Sequence, residues 1–440
     1  MKDIIWGVAS SAYQIEGGYR EDGKGDSIWD TYAHLGKIAN GETGDVACDH
    51  YHRYKEDVAL LKKLGVKAYR FSIAWTRVLP SGIGEVNEKG VQFYENLINE
   101  LLINGITPWI TLFHWDYPQK LEDMGGWLNP QSPKWFGEYA RLIGNRFGEK
   151  VKYFITLNEP QSYLGGYTEN VRAPGMEYQL TDRFLLAHNL LKGHGEAVKA
   201  LRETVKDAKI GIAPSGWALM PKNNTEQEIE RARRAYFTLW KHAPFESVSL
   251  FSDPILLGDY PKEYYEYFKD VIPVVTKEDL ALISQPIDFY GQNIYSGATV
   301  TERDEGDFIW DEADAEIERT ALGWPIQPKA LYWGPKFLYE RYKKPIIITE
   351  NGIACKDVVN PDKTVHDSER ITFIHAYIKE LQKAIFDGIK IDAYFYWSFM
   401  DNLEWKDGYA ARFGLVFVDF TSQKRFPKDS FYEYQAIIGD

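Results

Sequence analysis

The chain has 440 residues, and its 51 Lys and Arg against 64 Asp and Glu leave a formal net charge of −13. A hydrophobic content of 44% with 26% charged residues is typical of a globular protein and excludes a disordered, collagen-like or coiled-coil chain. The acidic balance argues against a nucleic-acid partner or an anionic membrane surface. No apolar run reaches the roughly 18 residues that a membrane span needs.

Eight short apolar runs predict strands, in chain order Trp6–Ser10, Ala68–Ser72, Thr107–Leu112, Tyr153–Leu157, Lys209–Ala213, Ile287–Gly291, Pro345–Thr349 and Ala393–Ser398. Amphipathic stretches between them predict helices at Tyr51–Leu64, Gly90–Asn104, Trp135–Phe147, Leu180–Glu203 and Ser368–Asp387. This alternation is typical of an α/β fold with a parallel sheet, and eight units favour a closed (β/α)8 barrel. The uneven intervals indicate long insertions in the βα-loops. No linker divides the chain, so we predict one domain over residues 1–440, with the acidic stretch 301–320 as a surface loop.

The cysteine content predicts a reducing compartment. Cys48 and Cys355 are far apart and show no metal-ligand spacing, so the sequence predicts neither a disulfide framework nor a zinc site. The N-terminus has no long apolar segment of the kind that directs secretion. Together these features predict a cytoplasmic protein.

Polar and aromatic residues follow the predicted strands at the point where each strand ends. They are Arg70 and Ser72, the run 114–116, the run 158–160, Asn293 and Tyr295, the run 350–352, and Trp397. The carboxyl ends of all strands of such a barrel meet on one face, where active sites lie. The sequence therefore predicts an active site on this face.

Two carboxylates stand out among these residues. Glu159 precedes Pro160, which favours an extended Glu159 with Asn158 on the opposite side of the pleat. Glu350 ends the apolar run of the seventh strand. Glycoside hydrolysis needs such a pair, because one carboxylic acid protonates the leaving oxygen while the other, ionised, attacks or activates water. The expected donors to Glu350 are Arg70, Asn293 and Tyr295. The residues alone leave open a structural ion pair between Glu350 and Arg70.

Several motifs resemble those of glycoside hydrolase family 1, the β-glucosidase family. The two catalytic motifs are matched by T-L-N-E-P at 156–160 and I-T-E-N-G at 348–352. Further matches are G-V-A-S-S-A-Y-Q-I-E-G at 7–17, G-D-V-A-C-D-H-Y-H-R-Y at 44–54, Y-R-F-S-I-A-W at 69–75, T-L-F-H-W-D at 111–116, D-N-L-E-W at 401–405, R-F-G-L-V at 412–416 and P-K-D-S at 427–430. The matches cover almost the whole chain in the family's order, so the resemblance is specific.

The resemblance implies a single (β/α)8 TIM barrel, a retaining double displacement and no cofactor or metal. It implies Glu159 as acid/base and Glu350 as nucleophile. The sugar-hydroxyl ligands implied by the resemblance are Gln14, His114, Asn158, Glu404 and Trp405. It further implies Trp397 as the platform beneath the sugar, Trp324 against the aglycone, and Arg70, Asn293 and Tyr295 as the residues that orient the nucleophile.

The substrate implied is a short, non-phosphorylated β-glucoside. Glu159 stands where myrosinase-like members have Gln, and Glu404 would repel a phosphate, although Lys406 lies nearby. Arg172 stands where the family commonly has His, a departure that bears on the aglycone. The alternatives are a β-galactosidase or β-fucosidase with the same mechanism, net transglycosylation, and a sugar-binding protein without turnover. The oligomeric state has no signal in the sequence.

Overall fold

The structure is a computed structural model that describes residues 4–168, 171–304, 307–311 and 313–439. Eight parallel strands close into a barrel, and we number them β1 (Ile5–Ala9), β2 (Ala68–Ser72), β3 (Thr107–Phe113), β4 (Tyr153–Asn158), β5 (Lys209–Ala213), β6 (Phe289–Asn293), β7 (Ile346–Asn351) and β8 (Ile391–Trp397). Each strand pairs with its neighbours in chain order, and β8 closes onto β1. The predicted (β/α)8 barrel is therefore confirmed.

The helices surround the barrel and occupy its loops. Their bounds are Ala12–Ile15, Ile28–His34, His50–Leu64, Trp75–Val78, Glu88–Ile103, Gln119–Asp123, Ser132–Phe147, Pro160–Leu164, Leu180–Thr204, Glu226–Phe237, Val248–Leu256, Lys262–Tyr267, Lys277–Ile283, Ala330–Tyr342, Ser368–Phe386 and Asp429–Gly439. Short 3₁₀ turns occupy Glu21–Gly23, Ala39–Gly41, Gly126–Leu128, Gly165–Tyr167, Pro244–Glu246 and Trp405–Asp407. Across the described ranges, none of these helices has the length and apolarity required to span a membrane.

Successive side chains of each strand point alternately into the barrel and toward the helices, which gives two hydrophobic cores. On β2, Tyr69 and Phe71 pack outward against the helices, whereas Ala68 packs inside the barrel. The interior is filled by aromatic rings, and Trp109 stacks on Tyr153 with ring centroids 4.1 Å apart. This packed interior forms a floor, so that only the mouth of the barrel is open to a ligand.

All eight predicted strands exist, with boundaries shifted by at most two residues at either end. The five predicted helices also exist, and the insertions add short elements that the sequence did not predict. The expectation of a surface loop at 301–320 is wrong in its first half, because Val300–Asp304 pairs antiparallel with Asp307–Trp310. Residues 305, 306 and 312 of that stretch lie outside the described residues. Val300 and Thr301 on one strand pair with Trp310 and Ile309 on the other, and β-branched and aromatic residues of this kind favour strands.

Candidate active site

A cavity of about 1070 Å³ opens at the carboxyl ends of the strands. Asn158, Asn293 and Trp397 are the last residues of β4, β6 and β8, and they line this cavity together with both candidate catalytic glutamates. The predicted site residues in its lining are His114, Asn158, Glu159, Asn293, Tyr295, Trp324, Glu350, Trp397, Glu404 and Trp405. The structure thus brings ten of the twelve predicted residues to one pocket.

Arg70 and Gln14 lie behind the pocket wall instead of in its lining. Arg70 is fully buried on β2, and its guanidinium donates to residues of β3, β4 and β7. The Gln14 amide donates to Asn402 Oδ1 at 3.0 Å and to the Leu403 carbonyl at 2.9 Å. Gln14 therefore holds the segment that precedes Glu404, and its amide hydrogens are already used.

Glu350 reaches the barrel mouth through a break in the pleat of β7. Ile347 packs inside the barrel and Ile348 outside it, so strict alternation would send Glu350 outward. The register of β7 shifts after Ile348 against both neighbouring strands. A bulge of this kind re-aims the following side chain, and here it turns the Glu350 carboxylate toward Arg70.

Two donors hold the Glu350 carboxylate. The Arg70 guanidinium donates to Glu350 Oε1 at 2.7 Å, and the Tyr295 hydroxyl donates to Glu350 Oε2 at 2.5 Å. Burial raises the pKa of Glu350 to about 7, with a further contribution from the charge of Glu159, while Arg70 and Tyr295 oppose that rise. The two donors therefore favour the ionised form of Glu350 and hold its carboxylate in one orientation.

Glu159 has a different backbone from the one predicted. The expectation of an extended Glu159 is wrong, because its φ of 44° and ψ of 64° lie in the left-handed region. Pro160 disfavours only the right-handed helical region for the preceding residue, and the helix Pro160–Leu164 begins directly after Glu159. The Glu159 N–H donates to the Ala213 carbonyl at 2.8 Å, which fixes this turn against β5.

The prediction that Asn158 and Glu159 point to opposite sides is also wrong. The Asn293 amide donates to Asn158 Oδ1 at 3.0 Å and to Glu159 Oε1 at 2.8 Å, so both side chains face the pocket. The expected donation from Asn293 to Glu350 is not observed, because this amide is directed at Glu159. The left-handed turn and a register shift late in β4 bring both side chains to one side.

The two glutamates are joined by a continuous set of hydrogen bonds. Arg70 donates to Glu350 through Nη1 and to Asn158 Oδ1 through Nη2 at 2.5 Å. Asn158 Oδ1 also accepts from Asn293, which donates in turn to Glu159. The guanidinium therefore fixes the positions of both carboxylates, while its positive charge contacts Glu350 alone.

His114 and Glu404 present buried polar atoms to the pocket that no described residue satisfies. The Asn158 amide lies 3.2 Å from His114 Nε2; because an amide N–H donates, Nε2 accepts and Nδ1 carries the hydrogen. Burial and the charge of Arg70 keep the pKa of His114 well below its usual value, so the ring is neutral. His114 Nδ1 and Glu404 Oε2 have no partner within the described ranges. Because both residues line the cavity, these atoms are able to bond to a ligand there.

Aromatic rings form the other walls of the pocket. The rings of Trp397 and Trp405 lie nearly parallel to the His114 ring, with centroids 5.7 and 5.9 Å away. Trp324 packs edge-on against Tyr295 at 5.5 Å. An indole face covers the C–H side of a pyranose, whose hydroxyls are then directed at polar groups. The pocket therefore combines the two kinds of surface that a sugar ring requires.

Comparison with known proteins identifies the family. A sequence model described as Glycosyl hydrolase family 1 matches residues 1–440. The chain belongs to glycosyl hydrolase family 1. A family 1 relative named beta-glucosidase A, from Thermotoga maritima, is 45% identical over 438 residues that cover 99% of this chain and 96% of the relative. A 1,4-beta-D-glucan glucohydrolase from Thermotoga neapolitana is 44% identical over 438 residues, with 99% of this chain and 97% of the relative covered.

Solved structures of a family 1 enzyme agree with this fold. The beta-glucosidase from Thermotoga maritima in complex with glucoimidazole has a TM-score of 0.92 and 45% identity, and the match covers 100% of this chain and 98% of that chain. The same enzyme in complex with deoxynojirimycin has a TM-score of 0.91 and 45% identity, with the same coverage. The fold of this family 1 chain is thus the TIM barrel of its structural neighbours.

Two supporting contacts in this family 1 site had no specific signal in the sequence. The Thr349 hydroxyl donates to Asn293 Oδ1 at 2.6 Å, which sets the direction of the Asn293 amide. The Trp115 indole donates to the Asn158 carbonyl at 3.0 Å, and Trp115 has a φ of 78°. The alternation of β7 predicts an inward Thr349, whereas nothing local predicts a tryptophan in the left-handed region.

Proposed function

We propose that Glu159 is the acid/base and Glu350 the nucleophile of a retaining β-glucosidase. The enzyme releases terminal, non-reducing β-D-glucosyl residues from short oligosaccharides or from aryl and alkyl glucosides. Family membership and the names of the relatives support this reaction. The observation that carries the assignment of roles is the inequality of the two carboxylates: Glu350 accepts from a guanidinium and a phenol, whereas Glu159 accepts from one neutral amide.

This inequality supports the two roles. The Arg70 cation and the Tyr295 hydroxyl favour the ionised form of Glu350, which a nucleophile requires. No cation among the described residues contacts the Glu159 carboxyl group, so Glu159 is the glutamate that we assign to proton transfer.

The reaction then proceeds in two displacements. Glu350 attacks the anomeric carbon, the glycosidic C–O bond breaks, and Glu159 transfers its proton to the departing oxygen, which leaves as an alcohol. The products of this step are a glucosyl ester on Glu350 and an ionised Glu159. Glu159 next takes a proton from a water molecule that attacks the anomeric carbon from the side that the alcohol left. The ester bond breaks, β-glucose is released, and both carboxyl groups return to their starting states.

Recognition of the sugar rests on the unsatisfied polar atoms and on the indole faces. His114 Nδ1–H donates to a hydroxyl oxygen, and the Glu404 carboxyl group can bond to a second hydroxyl through Oε2. Trp397 supplies the apolar platform, and Trp324 is available to the aglycone. Gln14 contributes by holding the segment before Glu404.

The remaining sequence predictions fit this function. A family match over residues 1–440 supports one catalytic domain. The free, buried thiols of Cys48 and Cys355 support a cytoplasmic location. The net charge of −13 supports a small glycoside as the partner, not nucleic acid or an anionic membrane.

The experiment that tests the roles uses nitrophenyl glycosides and azide. Wild-type enzyme is assayed on the β-glucoside, β-galactoside, β-fucoside, α-glucoside and 6-phospho-β-glucoside, and we expect turnover of the unphosphorylated β-glycosides. In Glu350→Ala, azide fills the space of the carboxylate and yields the α-glucosyl azide. In Glu159→Ala, azide intercepts the glucosyl ester and yields the β-glucosyl azide. The opposite pairing of products would exchange the two roles, and wild-type activity in Glu350→Ala without azide would refute the mechanism.

A further inference from the structure

The pocket is larger than one sugar ring requires, and part of its lining comes from the loops beyond the strand ends. We define the outer lining as Arg172, Arg183, Trp217, Phe245, Trp310 and Lys406, all of which line the same 1070 Å³ cavity as the two glutamates. None of these six is buried. The outer lining is therefore the part of the pocket that faces the group attached to the glucose.

Three cations of the outer lining form no salt bridge with a described residue, although the charge of Arg172 acts on Glu404. Within the residues that the structure describes, no carboxylate lies within salt-bridge distance of Arg172, Arg183 or Lys406. Most of the described arginines form salt bridges, so Arg172 and Arg183 are exceptions among the arginines. Unpaired cations in a concave site attract an anionic ligand.

The two arginines are nevertheless held in place. Arg172 donates through Nη1 to the Ser162 carbonyl at 3.0 Å, and its guanidinium lies 5.8 Å from the Trp115 ring. The guanidinium of Arg183 lies 5.4 Å from the Phe245 ring, and its Nε is buried without a hydrogen-bond partner in the described structure. Both guanidinium groups are thus positioned by neutral neighbours, with donors left over for a ligand.

Aromatic surface accompanies these charges. Trp217 and Trp310 meet edge to face at 6.1 Å, and Trp310 is 37% exposed. Glu246 and Asp407 also line the outer part of the pocket, where Lys241 joins the three cations, whereas Glu159, Glu350 and Glu404 lie at the strand ends. The cations therefore outnumber the carboxylates only in the outer part of the pocket. Guanidinium groups beside aromatic rings fit a flat ring that carries a carboxylate.

We propose that the aglycone site selects aromatic aglycones that carry a carboxylate. The inference rests on the proposed function, since the aglycone must leave from a glucoside. Its chemical basis is a guanidinium–carboxylate contact at the outer lining, together with stacking of the ring on Trp324 or Trp217. The substrate class is the β-glucoside of a phenolic acid.

The test compares two substrates that differ only in charge. In 4-(carboxymethyl)phenyl and 4-(carbamoylmethyl)phenyl β-D-glucoside, a methylene group insulates the phenol from the charge, so the leaving groups are equally reactive. At low ionic strength we expect kcat/KM for the acid to exceed that for the amide by more than about threefold. The ratio should fall toward one in about 0.5 M NaCl, because salt screens exposed charges.

Matched variants localise the effect. Arg183→Gln and Lys406→Gln should each lower the acid-to-amide ratio, and Arg172→Gln should lower it further. Arg141→Gln removes a cation that pairs with Glu203 on the protein surface, and it should leave the ratio unchanged. A wild-type ratio below about threefold, or a ratio that the pocket variants do not lower, overturns the inference while the amide is still hydrolysed. If neither substrate is hydrolysed, the proposed function itself fails and the inference falls with it.

Discussion

The ends of β4 and β7 each bring a glutamate to the pocket, but with different backbone geometry and different donors. At the end of β7, Glu350 stays in the strand, is turned inward by a shift in register and accepts from a cation and a phenol. At the end of β4, Glu159 leaves the strand through a left-handed turn and accepts from a single amide. Glu350 therefore has a cation beside it, whereas Glu159 has a single neutral donor. This difference in backbone and donors is the basis on which we propose different roles for two identical side chains.

The largest expected effects come from replacing each glutamate separately and varying the leaving group of the substrate. Glu350→Gln should lower kcat/KM by about 10⁵-fold on every aryl glucoside, because the nucleophile is lost whatever departs. Glu159→Gln should lower it by about 10² to 10⁴-fold on a phenyl glucoside, but by less than about tenfold on a dinitrophenyl glucoside, which needs no proton. The measurement is kcat/KM across a series of aryl glucosides of decreasing phenol pKa.

The slope of that series is the decisive quantity. A steep dependence on leaving-group pKa in Glu159→Gln, with a flat loss in Glu350→Gln, supports the two roles. Equal dependence in both variants would show that the ends of β4 and β7 are not chemically distinct, and the assignment would be wrong.

The barrel was predictable because its signals are regular. Apolar runs such as Lys209–Ala213 and the amphipathic stretch around Leu180–Thr204 repeat often enough to indicate eight strand–helix units. The residues at the strand ends then lie on one face by topology alone. The family motifs added the individual ligands, including Glu404 and Trp405, which no periodicity singles out.

The local geometry of the site was not predictable, because it depends on breaks in regular structure. Proline after Glu159 excludes only one backbone region, and the choice of the left-handed region is made by tertiary contacts such as the Ala213 carbonyl. The register shift in β7 leaves no mark in the sequence I-I-I-T-E-N. The donor assignment of Asn293 failed for the same reason, since its target depends on where these breaks place the two glutamates.

Tyr295→Phe tests how far the phenol donor controls the ionisation of Glu350. The Tyr295 hydroxyl opposes the rise in the pKa of Glu350, so its removal should raise that pKa further above about 7. Because the ionised carboxylate is the active form, the acidic limb of the kcat/KM profile should move to higher pH by about 0.5–1 pH unit. Activity at pH 6 should fall by about three- to ninefold for the same reason. Stopped assays on nitrophenyl β-glucoside from pH 5 to 9 give the profile.

The matched control for this variant is Tyr332→Phe. The Tyr332 hydroxyl also donates to a carboxylate, that of Asp387 at 2.7 Å, but outside the pocket. Its profile should coincide with that of the wild type. An acidic limb that stays in place in Tyr295→Phe would mean that the phenol orients Glu350 without affecting its ionisation.

Glu404 gives the smallest expected effect, and it tests whether a buried carboxylate without a salt bridge destabilises the folded protein. It lines the same pocket, its Oε2 accepts no hydrogen bond from a described residue, and burial raises its pKa to about 8 although the charge of Arg172 opposes that rise. A carboxyl group whose pKa is higher in the folded state favours folding below its ordinary pKa, and that contribution is lost as the pH rises through about 8. Glu404→Gln should therefore melt about 2–4 °C above the wild type at pH 9 and at the same temperature at pH 5.

Glu318→Gln, at an exposed position, should show no difference at either pH. If Glu404→Gln gave no gain in melting temperature at pH 9, a carboxylate without a salt bridge would be as stable in this pocket as Glu350 beside Arg70. The difference in donors between Glu350 and Glu159 would then not imply a difference in their ionisation.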